Sequence, residues 1–263
     1  MTDWDLVHDT GCAVPVGRPL DDLVAELATA LRDPDPAVRD GAPYVVLRTW
    51  IAEDVIDAGR RAKLGAEMAA RFTDPEIQAR TFAPLVLDMI VSRGDFDPAW
   101  LAAFTDWYPT ETDLRGYDQR LGWLHAVAHG ADLLATFGRH PRVDPAAMLD
   151  LAAARLVAPT DQLFAEQEDD RLARAIALVL ARPGLTERDA LAWLDRIAAD
   201  YATKPRGATP AHLANSMRTL HALYLLMDLG IGIVPRGTPL AQPHRDAVKA
   251  RLIEVLAPVF QHA

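Results

Sequence analysis

Cysteine is nearly missing from this chain: Cys12 is the only one in 263 residues. An intramolecular disulfide and a cysteine-rich zinc site are thereby excluded. Cys12 lies in a turn-like stretch near the N-terminus with no base beside it, so it reads as an incidental thiol rather than a nucleophile. Lysine is almost as scarce and is confined to Lys63, Lys204 and Lys249. Positive charge is in the minority overall, with 27 Lys and Arg against 37 Asp and Glu and a formal net charge of -10. An acidic surface repels phosphate backbones, so nucleic acid is not an expected partner. No run of about 18 consecutive apolar residues occurs, and no membrane association is expected. The opening MTDWDLVHDTG lacks both the basic region and the apolar stretch of a secretory signal, which makes the cytoplasm the expected compartment. GxGxxG, P-loop, GxSxG and CxxC patterns are all missing. The glycine-rich GIGIVPRG at 230–237 lacks the Lys-Ser/Thr ending of a phosphate loop. No cofactor is expected.

What the chain does have is apolar residues at helical spacing. Half its residues are hydrophobic, enough to pay for an ordered core. In LDDLVAELATAL, Leu20, Leu23, Leu27, Ala30 and Leu31 share one helical face, and Pro34 and Pro36 turn the corner after it. Comparable helical stretches follow: 38–56, divided or kinked by Gly41 and Pro43, then 59–72, 81–91, 100–107, 121–137, 146–156, 163–182, 187–201, 212–229 and 244–260. Residues 1–19, with Gly11, Pro15, Gly17 and Pro19, read as an irregular segment ahead of one helical domain over 20–263. No strand is required, although Ile231 to Val234 is a short aliphatic exception. DPAVRDGAPYVVL from Asp35 is echoed by DPEIQARTFAPLV from Asp74, 39 residues on, and a further step of that length reaches Asp113. Helical-hairpin repeats of HEAT type have periods of about 40 residues, and stacked hairpins share a core that none could bury alone. The expected fold is therefore all-α, a HEAT-like stack of helical hairpins (an α-solenoid). Its expected core includes Trp50, Phe82, Leu85, Met89, Trp123, Val127, Ile176, Leu194 and Leu223.

The stretch DLRGYDQRLGWLHAVAHGADLLATFGR, from Asp113 to Arg139, concentrates the chemistry. His125, His129 and Asp132 fall at i, i+4 and i+7, one face of a helix over 121–137. Asp118 joins that face if the helix starts early. Trp123, Ala126, Val127, Gly130 and Leu134 occupy the opposite, core-facing side, where Ala126 and Gly130 would admit a close neighbour. Arg115 is placed at the edge of the polar face. Its planar fork suits a carboxylate, with Glu168 and Asp169 of the acidic run at 166–171 as the expected partners. Three readings of this face remain open: a network tying adjacent hairpins together, a site for a small polar ligand, or a metal site using His125, His129 and Asp132. The spacing differs from HExxH because Ala126 stands where that motif has its glutamate, and no tightly held metal is expected.

Four pieces carry a resemblance: DPDPAVRD at 33–40, DLRGY at 113–117, GWLHAVAHGADLL at 122–134 and EDDRLARA at 168–175. They make the chain similar to a bacterial family catalogued as a domain of unknown function, number 2785. GWLHAVAHGADLL beside DLRGY is the specific part. The resemblance implies a helical, HEAT-like protein and supplies no catalytic roles. The expected function is thus an interaction or accessory module, taking a protein segment as partner. The alternative is a small-molecule binding protein or an enzyme built on Arg115, Asp118, His125, His129, Asp132, Glu168 and Asp169.

Overall fold

The computed structural model describes residues 2–203, 207–234 and 237–259. Thirteen α-helices run through them: α1 Trp4–Asp9, α2 Leu20–Ala30, α3 Pro36–Arg39, α4 Ala42–Ala52, α5 Ala58–Arg71, α6 Ile77–Ser92 and α7 Pro98–Trp107 lead to a two-residue hairpin. Its strands are β1 Tyr117–Asp118 and β2 Gly122–Trp123, antiparallel, with Tyr117 opposite Trp123. Then come α8 Ala126–Arg139, α9 Pro145–Val157, α10 Glu168–Leu180, α11 Glu187–Ala202, α12 Ala211–Leu229 and α13 Arg245–Leu256, closed by a 3-10 turn at Ala257–Val259.

Proline and aspartate write most of the helix starts. Asp35, Asp97 and Asp144 each accept the amide two residues on, with proline in the first helical turn behind them. Asp57 and Thr186 cap α5 and α11 by the amide three residues on. The 39-residue echo has a structural counterpart. Asp35, Asp74 and Asp113 each use Oδ1 to hold the amide of residue i+2, at 2.9, 2.9 and 3.4 Å. After the first two a helix follows. After the third, the β-hairpin intervenes before α8.

The helices form an all-α, HEAT-like repeat stack. Helices α4, α6, α8, α10 and α12 pack successively side by side as one layer. Across from them, α5 packs on α7, and α9 on α11 and then α13. The hairpins α5/α6, α8/α9 and α12/α13 join the layers, and one continuous apolar core fills the space between. Gly130 on α8 shows the closeness required: a methyl there would collide with the ring of Tyr108, whose hydroxyl donates to Val127 O at 2.9 Å.

Several sequence expectations are corrected. Residues 1–19 are not wholly irregular, because Asp3 caps α1 and Trp4 packs edge-on against Trp50 at 5.9 Å. Helix α10 begins at Glu168 rather than 163. The preceding segment is pulled straight by α12: Asn215 accepts from Phe164 N and donates to Gln162 O, and Arg218 donates to Phe164 O. Trp123 is 44 % exposed and not core, while Leu85 and Met89 are only partly buried. Trp50, Phe82, Val127, Ile176, Leu194 and Leu223 are buried as expected. Phe260, the expected end of the last helix, lies outside the described residues.

Candidate functional site

The hairpin decides the site. Helix α8 does not start at residue 121. His125 is its N-cap and adopts left-handed backbone angles, φ 52 and ψ 40, which a non-glycine side chain adopts only at a cost. The backbone is held there from the other strand: His125 N donates to Arg115 O at 3.2 Å and Leu124 N to Gly116 O at 2.8 Å. Arg115 in turn grips Asp113, at 2.8 Å from Nε and 2.5 Å from Nη2, and also Asp118. Asp118 Oδ1 accepts the amides of Arg120 and Leu121, closing the turn. The fully buried Arg39 reaches the far strand, donating to Leu121 O at 2.5 Å and Trp123 O at 3.3 Å.

So fixed, His125 places Nδ1 3.3 Å from Oε1 of Glu168. Glu168 is 1 % exposed, and its other oxygen accepts Glu166 N at 2.8 Å. Burial pushes its carboxyl upward, but the bonds from His125 and from the Glu168 and Glu166 amides outweigh that and hold it below its ordinary value. The ring proton of a neutral His125 therefore sits on Nδ1, and Nε2 carries the lone pair. The residue before Glu168, Gln167, is also left-handed, with φ 65. Gly116 gives room for the carboxylate: a methyl there would come within 2.7 Å of Glu166 Cβ and collide with Glu168 Oε1.

His129, one turn into α8, is 6 % exposed and edge-on to His125 at 5.5 Å. Its Nδ1 lies 2.9 Å from Thr81 O, and a carbonyl only accepts, so this ring too is protonated on Nδ1. Burial, together with the neighbouring His125 and Arg171, pushes its pKa down to about 3, so the ring is neutral near pH 7. Nε2 is left as an acceptor with no protein partner among the described residues.

Both imidazoles line a cleft of about 340 Å³ on the α4–α6–α8–α10 layer, together with Asp40, Tyr44, Phe82, Leu85, Trp123 and Arg171. Trp123 stacks flat on His125, with centroids 4.7 Å apart and planes 5° apart, and Tyr117 packs T-shaped against it at 4.9 Å. Burial raises Asp40, opposed by the Arg39 guanidinium beside it. Arg171 is bound through Nε and Nη2 to both oxygens of Asp132. Deeper along the layer, Asp88 accepts from Thr136. Burial raises its carboxyl to about 6, with Asp132 adding to the shift.

The expected site residues thus separate. His125 and His129 line the cleft, with Glu168 directly behind His125. Asp132 meets the cleft only through Arg171. Arg115 and Asp118 stitch the hairpin. Arg115 does not pair with Glu168 or Asp169, because its fork is filled by Asp113 and Asp118, and Asp169 faces Arg218 of α12 at 2.8 Å. The three-ligand metal alternative is not assembled: Asp132 is taken by Arg171 and His129 Nδ1 by Thr81. Among the described residues no group of three or more His, Cys, Asp or Glu is arranged to hold a metal ion.

Sequence reasoning missed Asp40, Tyr44, Phe82, Leu85, Trp123 and Arg171 as cleft residues. A signal for three of them was present, since Asp40 belongs to DPDPAVRD, Trp123 to GWLHAVAHGADLL and Arg171 to EDDRLARA. All four resembling pieces meet here. The family model described as "Protein of unknown function (DUF2785)" matches residues 67–225, more than half of the chain. The chain belongs to this family. Three of the four pieces lie inside the matched region of the DUF2785 model, and DPDPAVRD lies ahead of it. Neither the curated proteins nor the solved structures gave a match. No described helix is long and apolar enough to cross a membrane.

Proposed function

We propose that this DUF2785 member is a binding protein for a small polar ligand, held in the cleft among α4, α6, α8 and α10. The observation that carries the reading is His129. Its one ring proton is spent on Thr81 O, and its Nε2, on a residue that lines the cleft, has no protein partner among the described residues. A donor on a bound molecule would pair with it. The way the cleft is built supports the same reading. Left-handed residues cost on the order of 1–3 kcal/mol each and cluster where a site over-determines them. Here His125 and Gln167 both bracket the cleft's histidine–glutamate pair.

Binding is favoured over catalysis by the state of the cations. His125 backed by Glu168 is a serviceable proton acceptor. Catalysis of acyl or phosphoryl transfer also needs a donor aimed at developing negative charge, and the guanidinium lining the cleft is bound to Asp132. A docking face for a protein segment draws only on the general reach of a helical stack.

The test is a thermal-shift screen of small polar metabolites on the full chain, followed by side-chain 15N spectra of the histidines. Stabilising compounds should move the Nε2 resonances of His125 and His129. Hits that leave both resonances in place would remove the cleft from consideration.

A further inference from the structure

The cleft has an unequal supply of hydrogen-bond partners. Its cationic groups are paired in charge, although Nη1 of Arg171 is left as a donor. Arg171 forks Asp132. Arg39, behind the wall, divides its donors among Asp40, Asp33 O, Leu121 O and Trp123 O. Its acceptors are not committed. His129 Nε2 presents a lone pair, and in the neutral form of His125, with the Nδ1 proton directed at Glu168, Nε2 presents a second. Asp40 accepts from Arg39 alone among the described residues, and a carboxylate has about four acceptor sites. An anion would find the lining guanidinium already paired in charge with Asp132 and would meet these lone pairs head-on. A cation would sit beside Arg171 and Arg39, whose charges already press on His129. What remains is an uncharged molecule rich in donors.

Two further features narrow the class. Trp123 is 44 % exposed, with one face taken by His125. An exposed indole at the rim suits the C–H face of a saturated ring. Tyr44, whose hydroxyl burial keeps protonated, offers a donor in the same wall, so each ligand group should both donate and accept. Hydroxyl groups do both. A volume of about 340 Å³ is at the small end of ligand pockets.

Building on the ligand-site reading above, we infer that the cleft takes an uncharged polyhydroxylated ring of monosaccharide size. Hydroxyls donate to His125 Nε2, His129 Nε2 and Asp40, and the ring lies against Trp123.

The experiment uses the full chain with 15N-labelled histidine, titrated at pH 7 with D-glucose, myo-inositol, inorganic phosphate and methylammonium. At least one of the two polyols should shift the His125 and His129 Nε2 resonances saturably, and the two ions should not. Trp123→Ala and His125→Asn should each weaken that binding at least tenfold. Asparagine tolerates the left-handed backbone at 125, so this variant keeps the fold, as the urea midpoint would verify. Saturation by phosphate or methylammonium with none by either polyol would overturn the ligand class while leaving the cleft as a ligand site. Silence from all four probes would overturn both. Polyol binding undiminished in both variants would place it elsewhere and overturn the proposal.

Discussion

Gly116→Ala tests whether the hairpin exists to admit Glu168. Gly116 has no left-handed backbone, so alanine costs nothing through φ. Its cost is space. The added methyl would come within 2.7 Å of both Cβ and Cγ of Glu166 and would overlap Glu168 Oε1. Overpacking of this kind costs typically about 1–3 kcal/mol. Relief requires Glu168 to move, and its bond to His125, at 3.3 Å, has no slack. Losing a charge-assisted bond adds about 1.5–3 kcal/mol. Because one shift relieves the clash as it breaks the bond, the two terms overlap, and we expect about 2–4 kcal/mol in total. Urea denaturation at pH 7 measures this. The same substitution in a Glu168→Ala background should cost less by more than about 1 kcal/mol, since half of the collision is gone. A change under about 0.5 kcal/mol, or an equal penalty in both backgrounds, would refute the claim that Gly116 makes room for the carboxylate.

Other expectations can be checked by the same methods. Trp123→Ala should cost under about 1 kcal/mol and Trp50→Ala about 3–5, since the first side chain is half-exposed and the second fully buried; equal losses would contradict this. His129 in the folded chain resists protonation down to about pH 3, so acidification from pH 6.5 should remove roughly 2–3 kcal/mol of stability by pH 4, and His129→Gln should flatten that slope. Asp88 acts in the opposite sense. Its carboxyl, raised from 3.8 to about 6, takes up a proton on folding in that interval, so its penalty fades as pH falls, and Asp88→Asn should stabilise the protein at pH 7 while leaving a steeper acid limb. Dialysis against EDTA should leave the melting temperature unchanged, because Arg171 holds Asp132 and Thr81 holds His129; a drop would reopen the metal reading.

Much of the architecture was legible because its signals are local. Proline corners, aspartate caps and apolar spacing mark nearly every helix, and the Asp35/Asp74 echo is the same turn used twice. The failures share a physical cause, which is tertiary contact overriding local pattern. Helical periodicity carried through 121–125, yet Arg39, 82 residues earlier in the chain than Leu121, draws that strand into a hairpin and turns Trp123 outward. Residues 163–167 have a helical composition, but Asn215 and Arg218 claim their backbone. Periodicity put His125 and His129 on one helical face. The structure brings their rings together by another route, with His125 outside the helix. Arg115 had a carboxylate partner, as its chemistry suggested, but the nearer Asp113 and Asp118 were available to it first.

The pairing of His125 with Glu168 has a mechanical side. The two residues stand at the heads of different helices, α8 and α10, neighbours in one layer, so their separation is set by how those helices are seated on each other. Helices in such interfaces slide by about 1–2 Å when a stack flexes. A slide of that size would pull Nδ1 out of reach of Oε1, release the ring proton from its fixed place and change what Nε2 presents to the cleft. A slide across this one joint of the stack would thus be felt at the His125–Glu168 contact. By linkage, an occupant that required the closed pair would stiffen that joint in return.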